Sequence, residues 1–174
     1  MKNIILSISL FFIQISNTLS IEPKLHEVIN GLNSPWSLSF IGDEKVLITE
    51  KSGKLKLVDL KNKKIKEINH NLNILEDGQG GLLEVLYFKN QVFVSYSENL
   101  TNGNSSTSVA SAEFNENFLK FKNIFRAKPP INSGYHFGSR LVIKNNFLYI
   151  TAGERGKGMI AQDPTKHPGS IIRI

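Results

Sequence analysis

One short pattern returns three times in this chain and limits what it can fold into. Val46-Leu47-Ile48-Thr49, Val92-Phe93-Val94-Ser95 and Leu148-Tyr149-Ile150-Thr151 each sit at the same place in a run of strand-like segments separated by polar turns. The spacing is 46 residues from Ile48 to Val94 and 56 from Val94 to Ile150. A repeat of about 40–50 residues built from four short strands is the signature of propeller blades. The first unit reads as strands at Ser37–Phe40, Lys45–Glu50, Lys54–Val58 and Lys64–Ile68, punctuated by Gly42-Asp43, Ser52-Gly53 and Lys61-Asn62. The second reads as Leu82–Phe88, Gln91–Tyr96, Ser108–Phe114 and Lys120–Phe125, with the polar stretch Glu98–Ser106 as a long loop. The third opens at His136 and continues through Leu141–Ile143, Phe147–Ala152 and Ser170–Ile174.

No segment carries a helical period, so the expected fold class is all-β, a β-propeller with about three blades in this chain; an ordinary antiparallel sandwich is the competing architecture. Propellers close with about four to eight blades. The expectation is therefore an N-terminal half of a propeller over residues 21–174, apparently truncated. Lys24–Ile29 alternates and would be the outer strand of a final blade absent here.

Composition removes several function classes. The chain has 174 residues, 40% hydrophobic and 21% charged, which suits a folded domain rather than a disordered one. The formal charge is +6, but the lysines are scattered over turns such as Lys61–Lys64 with no aromatic stacking platforms, so no nucleic-acid partner is expected. There is no cysteine. That excludes disulfides, thiolate zinc sites and iron–sulfur clusters together. Residues 1–20 have the form of a secretory signal peptide: Lys2, the apolar run Ile4–Ile13, and small residues at Thr18-Leu19-Ser20. The run is short of the ~20 residues a membrane span takes. A periplasmic or secreted protein with no stable membrane span after cleavage is expected.

In each unit one side chain stands just before the first strand: Trp36, Gln79 and His136. First strands of blades line a propeller's central channel, so the repeat predicts that these three face one mouth. His136 lies between Gly134 and Gly138, in Gly-Tyr-His-Phe-Gly-Ser-Arg-Leu. An imidazole, with an unperturbed pKa of about 6.5, can act as a general base, and the flanking glycines would leave room for a ligand. A histidine packed between Tyr135 and Phe137 is the alternative. Gln79, in Asp-Gly-Gln-Gly-Gly, carries an amide able to donate to and accept from a sugar hydroxyl, or is part of a turn between blades. That loop is no P-loop, and Gly153-Glu154-Arg155-Gly156-Lys157-Gly158 lacks the third glycine and the helix of a dinucleotide fingerprint. Arg140 is expected in a structural ion pair. Asp163 and His167 lack a third ligand at usable spacing, so loop capping is expected and no metal site is assigned. His26 and His70 carry no signal.

Several motifs, in order, carry a resemblance: Gly31–Leu38, Leu47–Leu55, Gly78–Leu83, His136–Leu141, Leu148–Glu154 and Ala161–Pro164. Together they resemble the quinoprotein glucose/sorbosone dehydrogenase family, nearest its bacterial aldose sugar dehydrogenases, over nearly all of residues 21–174. The resemblance implies a six-bladed propeller that oxidises an aldose at C1 to the lactone, with pyrroloquinoline quinone (PQQ) as hydride acceptor, Ca²⁺ as a second cofactor and an external electron acceptor. It implies His136 as the catalytic base and Gln79 as a substrate contact. Glucose-specific members carry an aspartate just before the histidine; Tyr135 stands here, which leaves the aldose open. The cofactor-binding residues are expected in a C-terminal half that the chain lacks, so the fragment alone is expected to be inactive. A non-catalytic propeller binding carbohydrate or protein, and a metal-dependent lactonase-like propeller, are the other readings.

Overall fold

The computed structural model describes residues 22–174; the signal-peptide expectation for residues 1–20 lies outside them. Three antiparallel sheets follow one another along the chain and form three consecutive blades of a β-propeller. The first contains β1 (Pro35–Ile41), β2 (Lys45–Glu50), β3 (Leu55–Asp59) and β4 (Lys64–His70). The second contains β5 (Leu82–Phe88), β6 (Gln91–Asn99), β7 (Ser105–Glu113) and β9 (Lys122–Arg126). The short β8 (Phe118–Leu119) leaves that blade and pairs in parallel with β4, through Asn69–Phe118 and His70–Leu119. The third blade contains β10 (Gly138–Lys144), β11 (Phe147–Ala152) and β12 (Ser170–Arg173). Among the described residues no helix is long and apolar enough to cross a membrane.

The blades stack because their central strands have two apolar faces. In β2, Leu47 points into the core between the first and second blades, while Val46 and Ile48 pack on the opposite face with Val58, Ile29 and Leu32. In β6, Val92 and Val94 enter the first of these cores and Phe93 enters the core shared with Leu141, Leu148 and Ile150 of the third blade. Near-continuous apolar runs are the result, as in any sheet covered on both sides. The first strands are also tied by side chains: Ser37 Oγ accepts from Val85 N (3.3 Å), Ser39 Oγ accepts from Tyr87 N (2.9 Å), and Arg140 Nη1 meets Glu84 Oε1 (2.9 Å).

Two sequence expectations are corrected. Residues 24–29 form no strand; the segment 22–34 is irregular, with Ile29 and Leu32 anchoring it against Val46, Ile48 and Val58. The loop expected over Glu98–Ser106 is much shorter, because β6 and β7 stay paired out to Asn99–Ser105. The polar run there is buried, and its hydroxyls satisfy buried acceptors: Ser106 Oγ donates to Ala127 O (2.8 Å), Thr107 Oγ1 to Phe137 O (2.6 Å) and Ser108 Oγ to Glu98 Oε2 (2.6 Å). Buried polar groups are tolerated when paired in this way.

Leu47 is fully buried in the inter-blade core, whereas Leu38 is 57% exposed on β1. Leu47→Ala is expected to lower unfolding free energy by about 2–5 kcal/mol in a urea titration. Leu38→Ala should change it by no more than about 0.5 kcal/mol. Equal losses at the two sites would contradict the blade-stacking account.

Candidate active site

Three loops meet at one end of the seam between the second and third blades: residues 77–81 before β5, residues 133–137 before β10, and residues 153–158 after β11. The antiparallel pairing of β10 with β11 joins Gly138 to Ala152. Continued outward, that register sets His136 opposite Glu154. Gly153 N donates to Phe137 O (3.0 Å) and Arg155 N to His136 O (3.3 Å), so the two chains stay side by side past the strands.

The glycines serve this close packing. A Cβ on Gly134 would come within 2.8 Å of Asp77 Oδ2, and one on Gly78 within 2.5 Å of Gly134 O. A Cβ on Gly153 would lie 1.9 Å from His136 O, and one on Gly138 2.7 Å from Thr151 O. The space these glycines leave is filled by the protein's own backbone and, at Gly134, by the Asp77 carboxylate, not held open for a ligand.

His136 adopts a left-handed backbone, φ 49°, unusual for a non-glycine residue. Its side chain is exposed over about half its surface, at 51%, and the ring meets that of Tyr135 edge-on, with 6.1 Å between centroids. Nδ1 is hydrogen-bonded to Glu154 Oε1, which also accepts from Gly156 N (3.1 Å). The bond from His136 holds the Glu154 carboxyl below its ordinary pKa, with the Gly156 amide adding to the effect. An ionised carboxylate only accepts, so Nδ1 carries the proton and the lone pair of the neutral ring is on Nε2. Nε2 has no protein partner among the described residues.

Gln79 lies directly beside His136. Its backbone N–H donates to Gly134 O (2.7 Å), and its Oε1 accepts from His136 N (2.9 Å). Only an amide oxygen can meet a backbone N–H, so the side-chain orientation is set and the NH₂ group faces away from that bond. Gln79 and His136 are thus brought together. Trp36 is not placed with them. It opens on a cavity of about 710 Å³ along the first strands, lined also by Leu38, Ile48, Glu84, Gly138, Ser139 and Arg140. There Arg140 makes the expected ion pair, with Glu84, whose carboxyl is pushed above its ordinary pKa by burial and drawn back by Arg140.

Asp163 caps its own loop, accepting from Thr165 N (3.0 Å) and Thr165 Oγ1 (2.6 Å), and those bonds lower its pKa. His167 Nδ1 accepts from Lys128 N (3.0 Å). His70 Nε2 meets Gly53 O at 2.7 Å. These histidines have structural partners. Among the described residues no group of three or more His, Asp or Glu side chains could hold a metal ion. Two functional candidates went unassigned at the sequence level: Glu154, as the partner of His136, and Arg155, which is almost fully buried beneath the 133–137 loop.

Comparison with known proteins places the fold and the family. The aldose sugar dehydrogenase YliI of Escherichia coli (strain K12) is 31% identical over 153 residues, covering 82% of this chain and 41% of that protein. A crystal structure of a glucose dehydrogenase superposes with a TM-score of 0.82 at 33% identity, covering 87% of this chain and 47% of that one. The PQQ-bound aldose sugar dehydrogenase of Streptomyces coelicolor shares the fold, with a TM-score of 0.75 at 23% identity over 86% of this chain and 47% of that one. The chain therefore spans less than half the length of each of these relatives. The sequence profile named Glucose / Sorbosone dehydrogenase matches residues 32–174 without a break, across all three blades and the His136 loop, and the chain belongs to that family.

Proposed function

We propose that this chain carries the proton-accepting part of a PQQ-dependent aldose dehydrogenase site, with His136 as the general base, Glu154 as the group that sets its tautomer and Gln79 as a substrate contact. The observation that carries the reading is the His136–Glu154 pair at a loop seam, which leaves Nε2 of a half-exposed imidazole as the free proton acceptor. An aldose with its anomeric hydroxyl against Nε2 would give up that proton as C1 is oxidised and the lactone forms. Glu154 stabilises the imidazolium as it forms. Gln79, with its oxygen engaged by His136 N, offers its NH₂ donors to a sugar oxygen.

PQQ would supply the hydride acceptor, as the PQQ-bound Streptomyces relative suggests. The residues described here do not by themselves fit it. A polycarboxylate needs cationic, hydrogen-bonding partners. At this end of the blades Arg155 is buried and committed to the protein's own carbonyls, and Arg140 is joined to Glu84. Ca²⁺, which takes about 6–8 oxygen ligands, likewise has no acidic cluster to bind it among the described residues. The ligands of both would come from further blades, and the residues described here would supply proton chemistry alone. An exported, periplasmic or secreted location and an external electron acceptor complete the reading.

The test uses the complete protein supplied with PQQ and Ca²⁺ and an artificial electron acceptor. Aldose oxidation is expected, and His136→Asn should lower kcat by about 10²–10⁴-fold. Sugar binding with no turnover under any cofactor condition would favour a non-catalytic carbohydrate-binding propeller instead. Retained turnover in His136→Asn would remove the histidine from its role.

The pH dependence has a defined sign. The His136 bond depresses the Glu154 pKa, so its charge contributes to stability above the ordinary value of 4.5, and that contribution is lost as pH falls through the depressed value. Glu154→Gln removes that ionisable group, so the variant's urea midpoint should fall less than the unaltered protein's as pH drops below 4.5. An identical fall in both would show that the His136–Glu154 bond contributes nothing to stability.

A further inference from the structure

Arg155 sits in a glycine-rich turn, where a solvated side chain is the ordinary expectation, yet it is only 2% exposed. Its guanidinium runs beneath the His136 loop. Nε donates to Tyr135 O (2.9 Å), Nη1 to Ser105 O (3.1 Å), and Nη2 to Ser105 Oγ (2.8 Å) and to Ser133 O. The plane lies 3.6 Å from the centre of the Phe137 ring. Its backbone N–H donates to His136 O (3.3 Å). Burial pushes the guanidinium pKa down to about 10, against the opposing charge of Asp77.

Three of the four polar groups in the two peptides that flank His136 are thereby engaged. The one before it has its carbonyl on Arg155 Nε and its N–H on Gln79 Oε1. The one after it has its carbonyl on Arg155 N. A left-handed backbone at a non-glycine residue persists only where its surroundings over-determine it. Arg155 provides two of these three bonds and reaches across to Ser105, at the start of β7 in the second blade.

We propose that Arg155 is a positioning residue for His136: its buried guanidinium draws the Ser133 and Tyr135 carbonyls inward, keeps His136 in its left-handed conformation and so aims the imidazole at Glu154 on one side and at substrate on the other. The inference rests on His136 being the base. A lysine cannot replace the guanidinium, because one ammonium cannot span the Ser105, Ser133 and Tyr135 carbonyls in a plane.

The test compares Arg155→Lys and Ser105→Ala with Arg126→Met, which breaks the Glu98–Arg126 pair elsewhere in the second blade. Each is made in the complete protein with PQQ and Ca²⁺. The readouts are thermal midpoint, kcat and KM for an aldose, and the NMR signal of the His136 Nδ1 proton in histidine-labelled protein. Arg155→Lys is expected to weaken or abolish the Nδ1 signal and lower kcat by about 10-fold or more, with KM changed by less than about threefold. Ser105→Ala, which removes one acceptor, should move both in the same direction by less. Arg126→Met should lower the midpoint and leave kcat and the His136 signal unchanged. Should Arg155→Lys fail to fold, Ser105→Ala decides by itself. If the Arg155 and Ser105 variants lose midpoint only, like Arg126→Met, the positioning role is overturned. If the His136 signal depends on Arg155 while the unaltered protein oxidises no aldose, positioning stands and the catalytic reading falls.

Discussion

Face-to-face stacking of twisted sheets is the constraint on which the rest of this structure depends. A blade with one covered face would leave Val46 and Ile48, or Leu47, in water, so both faces are covered: the second blade packs on Leu47, and Ile29 and Leu32 of the segment before β1 pack on Val46 and Ile48. Burying side chains of this kind stabilises by about 1.5–3 kcal/mol each, and the first and second blades share such a layer across Leu47, Leu55, Leu57, Leu82, Val92 and Val94. Stacking brings the first strands of successive blades together, where Ser37 and Ser39 of β1 accept from the backbone of β5. Once those strands are aligned, the loops that lead into them must meet at a common end. The Gln79–His136 contact follows from the packing of two cores that lie well below it.

Much of this was legible in the residues. The recurrence of Val46–Thr49, Val92–Ser95 and Leu148–Thr151 reflects the second strand of each blade, which is buried along most of its length in the first two blades and on alternate residues in the third. The Gly134–Leu141 stretch announced a special backbone, and His136 has one. The misread parts share a cause. Ser105 and Ser106, at the end of the expected Glu98–Ser106 loop, looked solvated because hydroxyl side chains suit both water and a buried strand, and only the three-dimensional position of their acceptors distinguishes the two. Lys24–Ile29 alternated like a strand, but alternation cannot form a strand without an edge to pair with. Gly134 and Gly138 suggested open space, whereas a residue without a Cβ equally permits backbone to meet backbone.

Glu154 shows how a contact can be present in the sequence and still go unseen. It stands 18 residues from His136, at no spacing that marks a local motif. The hairpin of β10 and β11 nevertheless determines it: once Gly138 pairs with Ala152, two steps outward on each chain bring 136 to 154. Register, not spacing, was the missing information. Arg155 had no such route. A guanidinium in a glycine-rich turn is indistinguishable from a solvated one until the carbonyls of Ser105, Ser133 and Tyr135 are placed around it.

The bonds that shape the His136 loop all begin and end between residues 77 and 155. Gln79, Thr107, Glu154 and Arg155 come from two adjacent blades and bond directly to the five residues 133–137, while Ser105 backs them by holding Arg155. Placement of His136 is therefore a property of one inter-blade seam: its left-handed turn, its Glu154 partner and the Arg155 buried beneath it are all set by local hydrogen bonding within the second and third blades.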